Sequence, residues 1–238
     1  MFTGSSFAQE NQLHTVIQKG HEAVVKTARF TNDGKYLLTG SRDKTVKMWE
    51  VSTQREIKDF KGHKHTINDL DMSNNGKLFV TSSADRTAKV WDVRSGKLVF
   101  SSPEDRDFMT TVAFSADDQW IATGGYDPIV KIWDFKKNEL IAEIDSDPDR
   151  GLGLGINLEF SPDGKLLAIG EDNKKLSVYS TVSWDTIYTV KIERGSCGGC
   201  ATFTTFSHDS KYVVRATNNG IVAIYDAATG DKKGKITD

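Results

Sequence analysis

The chain has 238 residues and a nearly balanced charge, 31 Lys and Arg against 33 Asp and Glu. That length suits one large all-β domain or two small ones, and it can bury a core without disulfides or metals. No Lys/Arg run exceeds three residues and only two cysteines occur. These features argue against a dedicated nucleic-acid or anionic-membrane surface and exclude a disulfide framework. No apolar run approaches the roughly 18 residues of a membrane span.

The chain begins MFTGSSFAQE. SFAQ has the small residues of a signal-peptide cleavage region, but no basic stretch or apolar segment of about 7 to 15 residues precedes it. Residues 1–12 are therefore expected to be a tail. The cytoplasm is the expected compartment, with export the alternative if SFAQ is a signal remnant. From residue 13 on, one pattern governs the chain. TGSRDKTVKMWEV at Thr39–Val51 returns as TSSADRTAKVWDV from Thr81 and TGGYDPIVKIWDF from Thr123, then more loosely as IGEDNKKLSVYST from Ile169 and RATNNGIVAIYDA from Arg215. The aromatics Trp49, Trp91 and Trp133 are 42 apart, and Tyr179 and Tyr225 follow at steps of 46. Phe30, Met72, Phe114, Phe160 and Phe206 move in the same steps of 42, 42, 46 and 46. Periods of this size mark a repeat architecture.

Each repeat reads as four short strands. In the first, VVKTARF is followed by the turn NDGK, then YLLTGS, the turn RDK, TVKMWEV and REIKDF. Val, Ile, Thr and aromatics fill the runs, and Asn, Asp, Gly and Pro fill the gaps. The first hairpin turn returns as NNGK, ADDQ, PDGK and HDSK. No segment shows a sustained helical period. A four-stranded unit with apolar residues on both faces must bury both, and radial stacking does so while leaving only short edges. The expected class is all-β, a β-propeller of four-stranded antiparallel blades with repeats near 20–61, 62–103, 104–149, 150–195 and 196–238.

Gly20-His21 with Trp49-Glu50, Gly62-His63 with Trp91-Asp92, and Trp133-Asp134 together resemble the WD-repeat β-propeller family. The resemblance spans residues 13–238. It implies a hydrogen-bonded tetrad in each regular blade: His21, Thr39, Asp43 and Trp49 in the first, and His63, Thr81, Asp85 and Trp91 in the second. In this scheme Asp orients His, His donates to Thr, and Thr meets the indole N–H, leaving no buried polar group unpaired. A catalytic triad is the competing reading of His, Thr and Asp, but a pattern repeated blade by blade argues for structure. The third repeat has Asp105 where His is expected. The fourth offers Gly151, Ile169, Asn173 and Tyr179, and the fifth Cys197, Arg215, Asn219 and Tyr225. Apolar packing, rather than a polar network, is expected to hold those two blades.

In this family one end of the propeller often carries partner contacts, early on the first strand and just before the turn Asp. Carried over, these positions are Val24, Lys26 and Arg42; Thr66, Asn68 and Ala84; Phe108, Thr110 and Tyr126; Leu154, Ile156 and Asp172; and Cys200, Thr202 and Asn218. Aromatic and Arg side chains are the usual anchors. The expected patch centres on Phe108, Tyr126 and Leu154, with Arg42, Arg106, Asp172 and Cys200 around it; the competing reading is that these residues only plug the channel. Cys197-Gly-Gly-Cys200 is read as packing, a loop disulfide, or a redox or metal pair, since no helix is expected there to lower a thiol pKa. Arg150-Gly-Leu-Gly-Leu-Gly155 lacks the helix and Lys-Ser/Thr of a phosphate loop.

The chain is thus expected to be a non-catalytic scaffold for protein or peptide partners, with no cofactor, no metal, no nucleic acid and no membrane. The alternatives are the recruiting or sensory portion of a longer enzyme, or a thiol-redox protein built on Cys197 and Cys200. Residues 13–18, LHTVIQ, look like an outer fourth strand without a sheet to join, although the fifth repeat has its own candidate in KKGKIT. The expectation is a fragment of a larger, seven-bladed ring, with a genuine five-bladed ring or pairing between chains as the alternative; an open ring would expose the faces of its end blades and self-associate.

Overall fold

The computed structural model describes residues 20–146, 156–171, 175–191, 203–216 and 221–236. Strands and turns, with no helix, make up this part of the chain. Five four-stranded antiparallel sheets follow in sequence. Blade 1 is β1 (Val25–Phe30), β2 (Tyr36–Ser41), β3 (Thr45–Glu50) and β4 (Arg55–Lys61); blade 2 is β5 (Ile67–Met72), β6 (Leu78–Ser83), β7 (Ala88–Asp92) and β8 (Leu98–Ser101). Blade 3 is β9 (Met109–Phe114), β10 (Trp120–Gly125), β11 (Ile129–Asp134) and β12 (Glu139–Asp145). Blade 4 is β13 (Ile156–Phe160), β14 (Leu166–Glu171), β15 (Lys175–Ser180) and β16 (Thr186–Lys191), and blade 5 is β17 (Phe203–Phe206), β18 (Tyr212–Ala216), β19 (Val222–Asp226) and β20 (Lys232–Ile236). In every blade the strands pair in chain order.

Two local features repeat with the sequence. The ladder between the third and fourth strands shifts register at Trp49, Trp91, Trp133, Tyr179 and Tyr225. A bulge bends its strand and re-aims a side chain, so the recurring aromatic marks the kink of each blade. The first hairpin turn holds a left-handed residue at Gly34, Gly76 and Gly164, with φ of 68°, 69° and 75°. Asp118 (57°) and Ser210 (60°) take the same place without glycine's freedom. Both side chains reach back to the preceding blade: Asp118 accepts the N–H groups of Asn74 (2.6 Å) and Asn75 (2.9 Å), and Ser210 Oγ accepts that of Asp163 (3.0 Å). The turn sequence alone does not reveal this second role.

Each joint between successive blades is filled by one apolar cluster. Leu38, Val46 and Phe60 of blade 1 meet Ile67, Phe79 and Trp91 of blade 2. Val80, Val90 and Phe100 meet Val112, Phe114 and Trp133. Val130 and Ile132 meet Ile156, Leu158 and Leu167, and Ala168, Leu176 and Val178 meet Phe206, Val213 and Tyr225. The first strands of all five blades line a central cavity of about 1200 Å³. This radial stacking is the arrangement of a β-propeller.

The first strands of neighbouring blades are linked across the joints by side chains. Asp69 accepts the N–H of Val112 (3.3 Å), Thr111 that of Leu158 (3.4 Å), and Asn157 that of Thr204 (2.9 Å). Two residues further along, Asp71 accepts from Phe114 (2.8 Å) and Glu159 from Phe206 (3.3 Å). Burial beside the cavity pushes the carboxyl of Asp71 up to about 6 and that of Glu159 up to about 7, against the lowering effect of those N–H groups and of Arg29.

The two ends of the arc differ from its middle. Phe114, Phe160 and Phe206 are 6%, 6% and 7% exposed, whereas Phe30 is 59% exposed. Phe203, where the other blades carry Thr27, Asp69, Thr111 and Asn157, is 65% exposed. Among the described residues, blades 1 and 5 share no apolar cluster. The predicted strand at 13–18 lies outside the described residues.

Candidate functional site

The residues of the two expected tetrads are brought together. In blade 2, His63 Nδ1 lies 2.8 Å from Asp85 Oδ2, His63 Nε2 lies 2.7 Å from Thr81 Oγ1, and Trp91 Nε1 donates to the same oxygen at 3.0 Å. Blade 1 matches it, with 2.7 Å from His21 to Asp43, 2.7 Å from His21 to Thr39 and 2.8 Å from Trp49 to Thr39. Asp85 also accepts from Lys64 N, Thr87 N and Thr87 Oγ1. Those donors and His63 hold its carboxyl well below the usual carboxylate range, against the opposing effect of burial.

One bond runs opposite to expectation. Burial lowers the His63 pKa and favours a neutral ring. An ionised Asp85 can only accept, so the ring proton sits on Nδ1. The Nε2 lone pair is then the acceptor, and Thr81 donates to His63 at 2.7 Å in preference to the Lys89 carbonyl at 3.3 Å. The Thr81 hydroxyl gives one hydrogen bond and accepts one from Trp91 while 0% exposed. Its proton is committed and it is walled from solvent.

Blade 3 replaces the histidine. Asp105 Oδ1 accepts from Lys131 Nζ at 2.8 Å, while Trp133 keeps its bond to Thr123 at 3.1 Å. Blades 4 and 5 correct the expectation of purely apolar joints. Arg215, at the tetrad threonine's position, is fully buried. Its Nη1 donates to Thr204 Oγ1 at 2.7 Å and its Nη2 to the Glu171 carbonyl of blade 4. Room for the guanidinium comes from Gly170, where a Cβ would fall 2.0 Å from Arg215 Nη1. Lys175 Nζ lies 3.5 Å from the equally buried Glu171 and donates to the Ser146 carbonyl at 2.6 Å. A long cation thus bridges two blades where a short hydroxyl elsewhere locks one.

The loops that carry the tetrad His and Asp residues share one end of the propeller with the expected contact positions. Phe108 is 44% exposed. Its ring centroid lies 6.2 Å from that of Tyr126, tilted 55°, and 6.3 Å from that of His65, stacked at 14°. Sequence reasoning brought Phe108 and Tyr126 together but passed over exposed His65, one residue before a carried-over position. Arg42 and Arg106 are exposed at the same end. Phe108 and Tyr126 are not among the residues walling the cavity, which include Lys26, Asn68 and Thr110. Two other carried-over positions are spoken for: Asn68 Nδ2 donates to the Met109 carbonyl at 2.7 Å, and Ile156, 6% exposed, packs against Gly124. Leu154, Asp172, Cys197 and Cys200 lie outside the described residues. Among the described residues no cluster of three or more His, Cys, Asp or Glu has a metal-binding arrangement, and no helix is long and apolar enough to cross a membrane.

The family model described as WD domain, G-beta repeat matches residues 11–50, 54–92 and 96–134. A second model, the anaphase-promoting complex subunit 4 WD40 domain, matches residues 158–237. The chain is 48% identical over 46 residues to ribosome biogenesis protein BOP1 homologs of Culex quinquefasciatus and Aedes aegypti. It is 39% identical over 46 residues to the Drosophila melanogaster homolog. Each match covers 19% of this chain but only 5% or 6% of the relative, so the chain spans about a twentieth of the curated relatives it matches. A 46-residue match is about one repeat long. Repeat motif, blade architecture and family models agree, and the chain belongs to the WD-repeat family.

Proposed function

We propose that this chain is a non-catalytic scaffold that holds a protein or peptide partner at the loop end of the propeller marked by Phe108. The observation that carries the reading is an exposed aromatic cluster on a frame of blades whose tetrad hydroxyls and rings are already hydrogen-bonded to one another. Phe108 is 44% exposed and flanked by two further rings. The His–Thr–Asp sets that would suggest chemistry are committed instead: the Thr81 hydroxyl, at 0% exposure, has no route to a substrate. Large, stiff rings with a polar neighbour make good interface anchors because they bury area at little entropic cost. The short similarity to ribosome biogenesis proteins supports the kinship of the repeat and carries no ribosomal role in this proposal.

Cross-linking capture from the source cells tests the reading, with Phe108→Ala and Tyr126→Ala compared against Lys77→Ala at the opposite end. Loss of captured protein in the first two, with melting temperatures unchanged, is the expected outcome. Equal capture by all three, or loss that simply follows a falling melting temperature, contradicts it.

A further inference from the structure

We infer that the free face of blade 5 docks against the free face of blade 1 on a second copy of this chain, repeating between molecules the joint that links the blades within one. This surface is separate from the Phe108 end and does not depend on it. The inference starts from an asymmetry in the internal joints. The later blade presents the rings of its first and third strands, and the earlier blade meets them with aliphatic residues of its second and third strands. Phe114 and Trp133 of blade 3 meet Val80 and Val90 of blade 2. Phe206 and Tyr225 of blade 5 meet Ala168 and Val178 of blade 4. Every internal joint is thus a contact between two unlike faces.

The two end blades each carry one half of that contact. On blade 1, Phe30 and Trp49 stand at the positions of Phe114 and Trp133, and among the described residues no earlier blade covers them. On blade 5, Val214 and Ile224 stand at the positions of Val80 and Val90. Ile236, which pairs with Val222, is 60% exposed, whereas its counterparts Phe60 and Ile144 are 2% and 5% exposed. Apolar faces of this kind gain from leaving water. Rings on one free face and aliphatic residues on the other fit head to tail, as they do inside the molecule. Two blade 1 faces would set rings against rings, and two blade 5 faces would leave small residues against small. A head-to-tail contact uses a different patch on each copy, so it continues past a pair unless the copies close into a ring. Propellers close with about 4 to 8 blades, and two copies of five blades exceed that. The second copy therefore steps along the axis, and the assembly stays open.

Light scattering of the intact chain across a range of concentrations tests the inference, with Phe30→Asp blocking the blade 1 face and Ile236→Asp blocking the blade 5 face. The parent is expected to gain mass steadily as concentration rises. Each variant alone should remain a monomer and, in dilute solution, melt at the parent temperature. An equimolar mixture of the two should form a dimer that grows no further, because each variant keeps one intact face. Val25→Asp, on the blade 1 face at a position 47% exposed, should behave as Phe30→Asp does. A parent that stays monomeric at every concentration overturns the inference. A Phe30→Asp protein that dimerises alone overturns it in favour of blade 5 faces pairing with each other, and an Ile236→Asp protein that dimerises alone in favour of blade 1 faces. A mixture that stays monomeric also overturns it, since the two intact faces then do not fit.

Discussion

Blades 2 and 5 share a four-stranded sheet, the same strand order and a register shift at the same aromatic position, yet their interiors are built on different chemistry. Blade 2 locks itself: Thr81 ties His63 of its own entry loop to Trp91 of its third strand. Blade 5 has Arg215 at that position, and the guanidinium ties β17 of its own sheet to the Glu171 carbonyl of blade 4. The WD signature is thus one solution to a general requirement, that a polar group buried at the middle of the second strand be paired. A blade without the signature meets the requirement across the joint instead of within the sheet.

The largest effect is expected from the unusual joint. Arg215→Ala leaves the Thr204 hydroxyl and the Glu171 carbonyl without the guanidinium and opens a void over Gly170. It should lower stability by about 3–5 kcal/mol in urea unfolding. Arg215→Lys should not restore it, because an ammonium cannot make the two divergent bonds of the guanidinium. A loss under about 1 kcal/mol in Arg215→Ala would place the strength of this joint in its apolar cluster instead.

Thr81→Val tests the other half of the comparison. It keeps the shape but strips the partner from both the His63 Nε2 and the Trp91 indole, each deeply buried, at a cost of about 2–4 kcal/mol. Thr81→Ser keeps the hydroxyl and should retain most of that. If Thr81→Val melts with the parent, the tetrad is not what holds blade 2.

A smaller effect separates the inter-blade carboxylates from both devices. The folded state raises Asp71 to about 6 and Glu159 to about 7, from 3.8 and 4.5. Folded protein therefore binds more protons than unfolded chain in this window. The stabilising contribution of these groups is full below about pH 4 and is lost as pH rises through 6 and 7. His63, with a lowered pKa, acts in the opposite sense, since stability from a neutral buried ring grows as pH rises. Comparing each variant with the parent isolates the acids. Asp71→Asn and Glu159→Gln keep an acceptor for Phe114 N and Phe206 N, so each should gain on the parent between pH 5 and pH 8, by about 1 kcal/mol at Asp71 and about 2 kcal/mol at Glu159. A gap that stays constant with pH would show that neither carboxyl titrates there.

The architecture was legible because the repeat is written twice, in the aromatic ending the third strand and in the apolar residue ending the first. Those positions answer to the bulge and the joint, which every blade needs. The tetrads were legible in blades 1 and 2, where all four residues are present. The direction of the Thr81–His63 bond was not, since a sequence does not show which ring nitrogen a burial-neutralised histidine protonates. Arg215 was missed because a charged residue in a strand reads as exposed, and only Gly170, from a different blade, makes room for it. His65 was missed for a related reason: its contact with Phe108 joins two repeats, whereas the alignment compares each repeat with itself. The links from Asp118 and Ser210 to the preceding blade likewise cross a joint and leave no mark in the local turn sequence.

The central claim is that different residues hold the blades and hold the partner. Thermal melting of Phe108→Ala beside Thr81→Val tests it most directly. The account predicts that Phe108→Ala stays within about 0.5 kcal/mol of the parent, as a surface substitution should, while Thr81→Val falls by several degrees. A Phe108→Ala protein that melts as early as Thr81→Val would contradict it, and would make the aromatic cluster part of the framework.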